Sequence, residues 1–111
     1  MNLKQLLTPY TSHILPADIN ITGLVTDNRD VTRGDCFIAL AGITHHGKEF
    51  ITDAVSRGAA AVLVDQSDLD GVLNQQNAAS NKTSVPIIGI ENLETQVNHI
   101  ILDFYRLSSS V

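Results

Sequence analysis

The amino-acid sequence predicts an α/β fold: a single small domain with a mixed or mostly parallel sheet of about four to five strands flanked by helices. Three observations carry this expectation. Nearly unbroken apolar runs at residues 36–40, 59–64 and 87–90 read as strands covered on both faces. Segments with apolar residues at helical spacing fall between and after them. The chain's 111 residues, 43% hydrophobic and 17% charged, suit one ordinary globular core and are short for two.

Taken in chain order, Leu3, Leu6, Leu7 and Tyr10 recur at i, i+3, i+4 and i+7 and predict a short opening helix ended near Pro9. Ile19 and Ile21 alternate with polar neighbours and lead through Gly23-Leu24-Val25 to Thr26, predicting one half-buried strand or two short ones. Thr32-Arg33-Gly34-Asp35 is a turn in which Gly34 is free to take positive φ. Cys36 to Leu40 is the next strand, running into the loop from Ala41 to Gly47. Lys48 to Arg57 reads as a helix with Phe50, Ile51, Ala54 and Val55 on one face, stopped by Gly58. Ala59 to Val64 follows as a strand, completing the helix-to-strand half of a right-handed βαβ unit. Leu69 to Ala79 is weakly helical and passes into the polar stretch 80–84. Pro86 introduces the strand Ile87-Ile88-Gly89-Ile90. A last helix from Leu93 to about Arg106 carries the stripe Val97, Ile100, Ile101 and Phe104, with Asn92 as its N-cap.

Composition excludes several classes of function. A formal charge of −5 with scattered basic residues argues against nucleic acid as a partner. The longest apolar run, Ala59 to Val64, falls far short of the roughly 20 residues that cross a bilayer, and the first residues hold no apolar signal core. A cytoplasmic protein with no membrane partner is expected. The single Cys36 sits within an apolar strand and reads as a buried, inert thiol. No G-x-x-x-x-G-K-[ST], G-x-S-x-G, H-E-x-x-H or G-x-G-x-x-G motif occurs, and no nucleophile, base and oxyanion set can be assembled, so no catalytic residue is assigned. Arg33-Gly34-Asp35 and the sequons at Asn20 and Asn81 are coincidences in such a chain.

Parallel sheets bind ligands beyond the carboxyl ends of their strands, and two loops fit that place. Thr26-Asp27-Asn28-Arg29 gathers a hydroxyl, a carboxylate, an amide and a guanidinium, groups that read the edge of a base or sugar and grip phosphate oxygens. The same residues also make a plain solvated turn, with Asp27 paired to Arg29 and Asn28 left-handed, and composition leaves both readings open. Gly42 to Gly47 is bracketed by glycines, which let backbone N–H groups approach a phosphate. His45 and His46 suggest zinc, but neighbours on a loop rarely share a metal and nothing in sequence completes the ligand set, so no metal is assigned. His13 and His99 stand alone and read as surface or packing residues.

Read as one string, Gly23 to Gly42 (GLVTDNRDVTRGDCFIALAG) resembles the opening domain of Mur ligases, whose usual form is D-S-R, V, G-D-L-F-V-A-L and G. That form continues with D-G-H, F-I and A-x-x-x-G-A-x-A-V, matched here by Gly47, Phe50-Ile51, Ala54 and Gly58-Ala59-Ala60-Ala61-Val62. Pro86 to Tyr105 fits the strand and helix that close this domain, and Phe104-Tyr105 is similar to the F-Y of the MurE type. The resemblance implies a UDP-N-acetylmuramoyl-peptide-binding domain over residues 1–107, with 108–111 beginning a linker to an ATP-binding central domain. It implies that a full-length parent uses ATP and Mg to add meso-diaminopimelate or L-lysine to UDP-N-acetylmuramoyl-L-alanyl-D-glutamate, while this non-catalytic domain grips the UDP end. Carried over by position, substrate contacts fall on Thr26, Asn28, Ile43, Thr44 and His45, with Asp27, Arg29, Gly42, His46 and Gly47 in support. The partners implied are the UDP-N-acetylmuramoyl-dipeptide and the central and C-terminal domains in cis, in a monomer. Two departures stand out: Asn28 replaces the usual Ser, and His46-Gly47-Lys48 replaces D-G-H. A MurF-type domain shares much of the pattern, and a non-enzymatic α/β interaction module of receiver-like topology is the alternative outside the family. The latter needs an acidic pocket that Asp27, Asp35 and Asp65 do not obviously supply.

Overall fold

The computed structural model of the chain describes residues 2–11, 19–40, 47–69 and 85–108. Four strands, β1 (Gly23–Val25), β2 (Asp35–Ile38), β3 (Ala61–Asp65) and β4 (Ile87–Ile90), form one sheet in the order β1-β2-β3-β4. Every pairing between these four strands is parallel, with Leu24 opposite Cys36, Phe37 opposite Val62 and Leu63 opposite Ile88. Among the described residues the mixed-sheet option therefore gives way to an all-parallel one. The continuous apolar runs explain this, because both faces of the sheet are covered.

Alternate residues of each strand enter different cores. Cys36, Ile38, Ala61, Leu63, Ile88 and Ile90 face helices α1 (Leu3–Leu7) and α3 (Leu93–Ser108), packing on Leu3, Leu6, Leu7, Val97, Ile100 and Phe104. Phe37, Val62 and Val64 face helix α2 (Gly47–Ser56) and pack on Ile51, Ala54 and Val31. The result is three layers, with α1 and α3 on one side and α2 on the other. Tyr10 extends the α1 stripe and donates a short hydrogen bond to Asp103 on α3. Its phenol is pushed up to about 12, by burial first and by Asp103 second.

Element boundaries shift where backbone hydrogen bonds have other uses. The expected strand 36–40 is observed as Asp35–Ile38: Ala39 N–H still donates to Leu63 O, but Leu40 N–H turns back onto Ile38 O. The expected strand 59–64 is observed as Ala61–Asp65 because Ala59 is spent on closing α2. There Gly58 N–H donates to Val55 O and Ala59 N–H to Ala54 O, a Schellman ending with Gly58 at φ 104°. Phe50, expected on the buried face, is 40% exposed. The stripe of α2 centres on Ile51 and Ala54, both fully buried, and Phe50 lies about 100° around the helix from Ile51.

Asn92 stands at the N-cap position, its carbonyl accepting from Thr95 and Gln96 N–H, yet its backbone is left-handed at φ 54°. The first amide of α3, Leu93 N–H, is satisfied by the Asp65 carboxylate at 3.1 Å, so the cap comes from the end of β3. Its hydrogen bonds from Ser67 and Leu93 hold the Asp65 carboxyl below the usual carboxylate range. The helix expected at 69–79, the polar stretch 80–84 and His13 lie outside the described residues, apart from Leu69, which is buried on the α2 side. His99 is exposed on α3, as a surface residue.

Candidate functional site at the carboxyl ends of β1 and β2

β1 is short because Thr26 leaves the sheet directly after Val25, whose register partner is Phe37. The chain must then return to start β2 alongside, and it does so through a single 3₁₀ turn, Asn28–Asp30, rather than a full helix. Asp27 caps this turn, its Oδ1 accepting from Arg29 N–H at 2.9 Å. Val31 follows and is buried against the α2 side of the sheet, which seats the turn beside α2.

Each predicted site residue in this loop has a definite role. Thr26 is exposed. Asp27 and Arg29 form a two-pronged ion pair, Nη2 to Oδ2 at 2.8 Å and Nε to Oδ1 at 3.1 Å. The side-chain and backbone hydrogen bonds from Arg29 hold the Asp27 carboxyl down at about 2. The pairing expected of a plain turn is therefore present, and Arg29 remains 78% exposed at its side chain. Asn28, by contrast, is right-handed and half-buried, and its Nδ2 donates to Asp53 Oδ2 on α2 at 2.7 Å.

Asp53 also accepts from Arg57 Nε at 2.8 Å, one helical turn on, and Arg57 Nη1 donates to the Arg29 carbonyl at 3.4 Å. These bonds, that from Arg57 first and that from Asn28 second, hold the Asp53 carboxyl below its ordinary value. The loop after β1 is thus tied to α2 at two points. Sequence reading missed Asp53 and Arg57. Their i, i+4 spacing was a visible signal for a helical pair, but not for the reach to Asn28.

The second predicted loop leaves β2 at Leu40, and its far end, Gly47, begins α2. Gly42, Ile43, Thr44, His45 and His46 lie outside the described residues. Since β1 and β2 are parallel neighbours, both loops depart from the same edge of the sheet, and α2, which grows out of the second, carries the residue that grips the first. Two clefts also open at carboxyl ends of strands. One of about 330 Å³ lies between Tyr10, Gln66, Gly89 and Glu91. Another of about 260 Å³ is edged by Asp65, Asp68 and Glu94, a lining hostile to phosphate.

The three carboxylates Asp27, Asp35 and Asp65 do not converge on one pocket: Asp27 follows β1 and Asp65 ends β3, whereas Asp35 opens β2 at the opposite edge. Asp35 is instead structural, its buried carboxylate accepting from Thr32 and Thr22. Among the described residues no group of three or more His, Cys, Asp or Glu is placed to hold a metal ion, and no helix is long and apolar enough to cross a membrane.

Comparison with known proteins places this geometry. The family described as "Mur ligase family, catalytic domain" matches residues 20–105. UDP-N-acetylmuramoyl-L-alanyl-D-glutamate--2,6-diaminopimelate ligase of Alkalilimnicola ehrlichii is 31% identical over 105 residues, covering 95% of this chain and 21% of that protein. The ligase of the same name from Coxiella burnetii is 38% identical over 103 residues, 93% of this chain and 19% of its own. That of Xylella fastidiosa is 49% identical over 55 residues, half of this chain and 11% of its own. The chain spans about a fifth of the length of the first two relatives. Because the family match runs from the approach to β1 through both loops to the last turns of α3, this chain belongs to the Mur ligase family.

Proposed function

We propose that this chain is the UDP-gripping part of a MurE-type peptidoglycan-precursor ligase and that it performs none of the bond-making itself. The observation that carries the reading is the shared edge: two polar loops leave adjacent parallel strands at their carboxyl ends, the place where open α/β sheets receive ligands. The names of its relatives supply the substrate, UDP-N-acetylmuramoyl-L-alanyl-D-glutamate, and the amino acid added, 2,6-diaminopimelate. Thr26 and Asn28 contact the ligand from the first loop and Ile43, Thr44 and His45 from the second, with Asp27, Arg29, Gly42, His46 and Gly47 in support.

The division of labour follows from what the chain carries. ATP and Mg belong to the remainder of such a ligase, in a central domain joined in cis after residue 107, since this sequence has no Gly-rich Lys-Ser/Thr phosphate loop. When bound there, they activate the substrate carboxylate for attack by an amine. The present residues bind and orient the distant UDP end, which holds that carboxylate in place. Substrate of this kind is cytoplasmic, and the chain works as a monomer.

A titration of the chain with UDP-N-acetylmuramoyl-L-alanyl-D-glutamate, followed by backbone amide NMR with UDP and ATP as controls, tests the reading. Shifts confined to residues 26–29 and 42–47 with both UDP ligands and absent with ATP are expected. No UDP-dependent shift at millimolar ligand, or an equal response to ATP, overturns it.

A further inference from the structure

The bond between the 3₁₀ turn and α2 fixes more than a distance. An asparagine amide presents a donor NH₂ on one side and an acceptor carbonyl on the other, nearly equal in shape, so its neighbours decide which way it faces. Asp53 is a carboxylate already engaged by Arg57 and can only accept. It therefore takes the Nδ2 of Asn28, at 2.7 Å, and turns the carbonyl Oδ1 the other way. Among the described residues no donor is bonded to that oxygen. Arg57, bonded to both Asp53 and the Arg29 carbonyl, braces the arrangement from behind.

Resting on the reading of this loop as part of a UDP site, we propose that Asp53 is a positioning residue: it fixes the polarity of the Asn28 amide so that the site offers a carbonyl acceptor and selects a hydrogen-bond donor on the nucleotide. The donor so selected on UDP is either the imide N–H of uracil or the ribose 2′-hydroxyl. A serine at this position, the usual residue of the resemblance, both donates and accepts, and so makes no such selection. Asparagine held by Asp53 accepts only. A cytosine base, which carries an acceptor where uracil carries its imide N–H, is then refused if the base is the partner, and a deoxyribose loses affinity if the sugar is.

The test measures dissociation constants of UDP, CDP and 2′-deoxy-UDP by NMR for the wild-type chain, Asp53→Ala, Asp53→Asn, Asn28→Ser and the double variant Asp53→Ala/Asn28→Ser. One hydrogen bond's worth of binding predicts that Asp53→Ala weakens UDP about 3- to 10-fold. It also brings the ratio of UDP to one of the two analogues toward unity, and that analogue identifies the donor. In the Asn28→Ser background the same change has no further effect, and Asp53→Asn, whose amide accepts in only one of its two orientations, falls between. An unchanged preference over both analogues in Asp53→Ala overturns the proposal, as do effects of Asp53→Ala and Asn28→Ser that simply multiply.

The side-chain NH₂ resonances of Asn28 separate this proposal from the reading beneath it. One proton shifted downfield in the wild type and released in Asp53→Ala reports the pinned amide without any ligand. UDP binding with unchanged Asn28 resonances in Asp53→Ala leaves the UDP site standing and removes the role of Asp53. A pinned amide with no response to UDP removes the UDP reading and, with it, the selection proposed here.

Discussion

Replacing Asp35 with alanine probes how a buried carboxylate holds the start of β2. Asp35 is 7% exposed. Its Oδ2 accepts from Thr32 N–H and Thr32 Oγ1, both at 2.9 Å, and its Oδ1 from Thr22 Oγ1 at 3.2 Å. Alanine removes all three acceptors. The hydroxyls of Thr22 and Thr32 belong to exposed residues and turn to water, but the part-buried Thr32 N–H loses its partner. A hydrogen bond to a charged group contributes about 1.5–3 kcal/mol, so the expected loss is about 2–3 kcal/mol. Asparagine keeps the shape, which matters because a Cβ on neighbouring Gly23 would already come within 2.9 Å of Oδ1. It retains one oxygen for Thr32 and turns its NH₂ toward a Thr22 hydroxyl able to accept, at a cost of about 1 kcal/mol. Urea unfolding followed by circular dichroism reads both. With a slope near 1.5 kcal/mol/M, the alanine variant's midpoint falls by about 1.5–2 M and that of asparagine by less than about 1 M. Equal losses for Asn and Ala would refute the geometric account in favour of charge alone. An alanine variant within about 0.5 kcal/mol of wild type would refute the role of the hydrogen bonds altogether.

Gly58→Ala places a Cβ at φ 104° and within 2.9 Å of the Arg33 backbone Cα, so a loss of about 2 kcal/mol or more is expected in the same unfolding assay. Cys36 is fully buried and its thiol is pushed up to about 12, chiefly by burial, so a thiol reagent at pH 8 should label the chain only at the rate of its unfolding. Labelling at the rate of a free thiol would contradict the packing. Asp27, Asp53 and Asp65, all held below the ordinary carboxylate value in the folded chain, should each add a small, solvent-screened contribution to acid unfolding. The unfolded chain takes up protons first as pH falls, so their contribution is complete above about pH 5 and disappears toward pH 2. Thermal melts across that window should show stability falling with acidity, and Asp53→Asn should flatten the slope.

Much of this arrangement was legible in the residues. The unbroken apolar runs marked strands covered on both faces, and the structure pairs them all in parallel. Gly34 and Gly58 marked the two turns that need positive φ, at 92° and 104°. The position of Thr26 to Arg29 after a strand was enough to put that loop at the carboxyl end of β1. What sequence order left open was which of two descriptions the loop obeys, and the folded chain divides it: Asp27 and Arg29 form the local pair of a solvated turn, while Asn28 reaches away to α2.

Among the described residues the sequence by itself determined the main helices and strands, their approximate limits and the family, because hydrophobic periodicity and turn residues act over a few positions and are written locally. Tertiary structure alone decided the long-range partners of the polar side chains. Asn28 meets Asp53 across 25 positions, Asp65 caps α3 across 28, and Tyr10 meets Asp103 across 93. The physical reason is that a buried or half-buried polar group must find a partner of complementary polarity wherever packing brings one near. That nearness is set by the stacking of α1, α2 and α3 on the sheet, which no local stretch of sequence specifies.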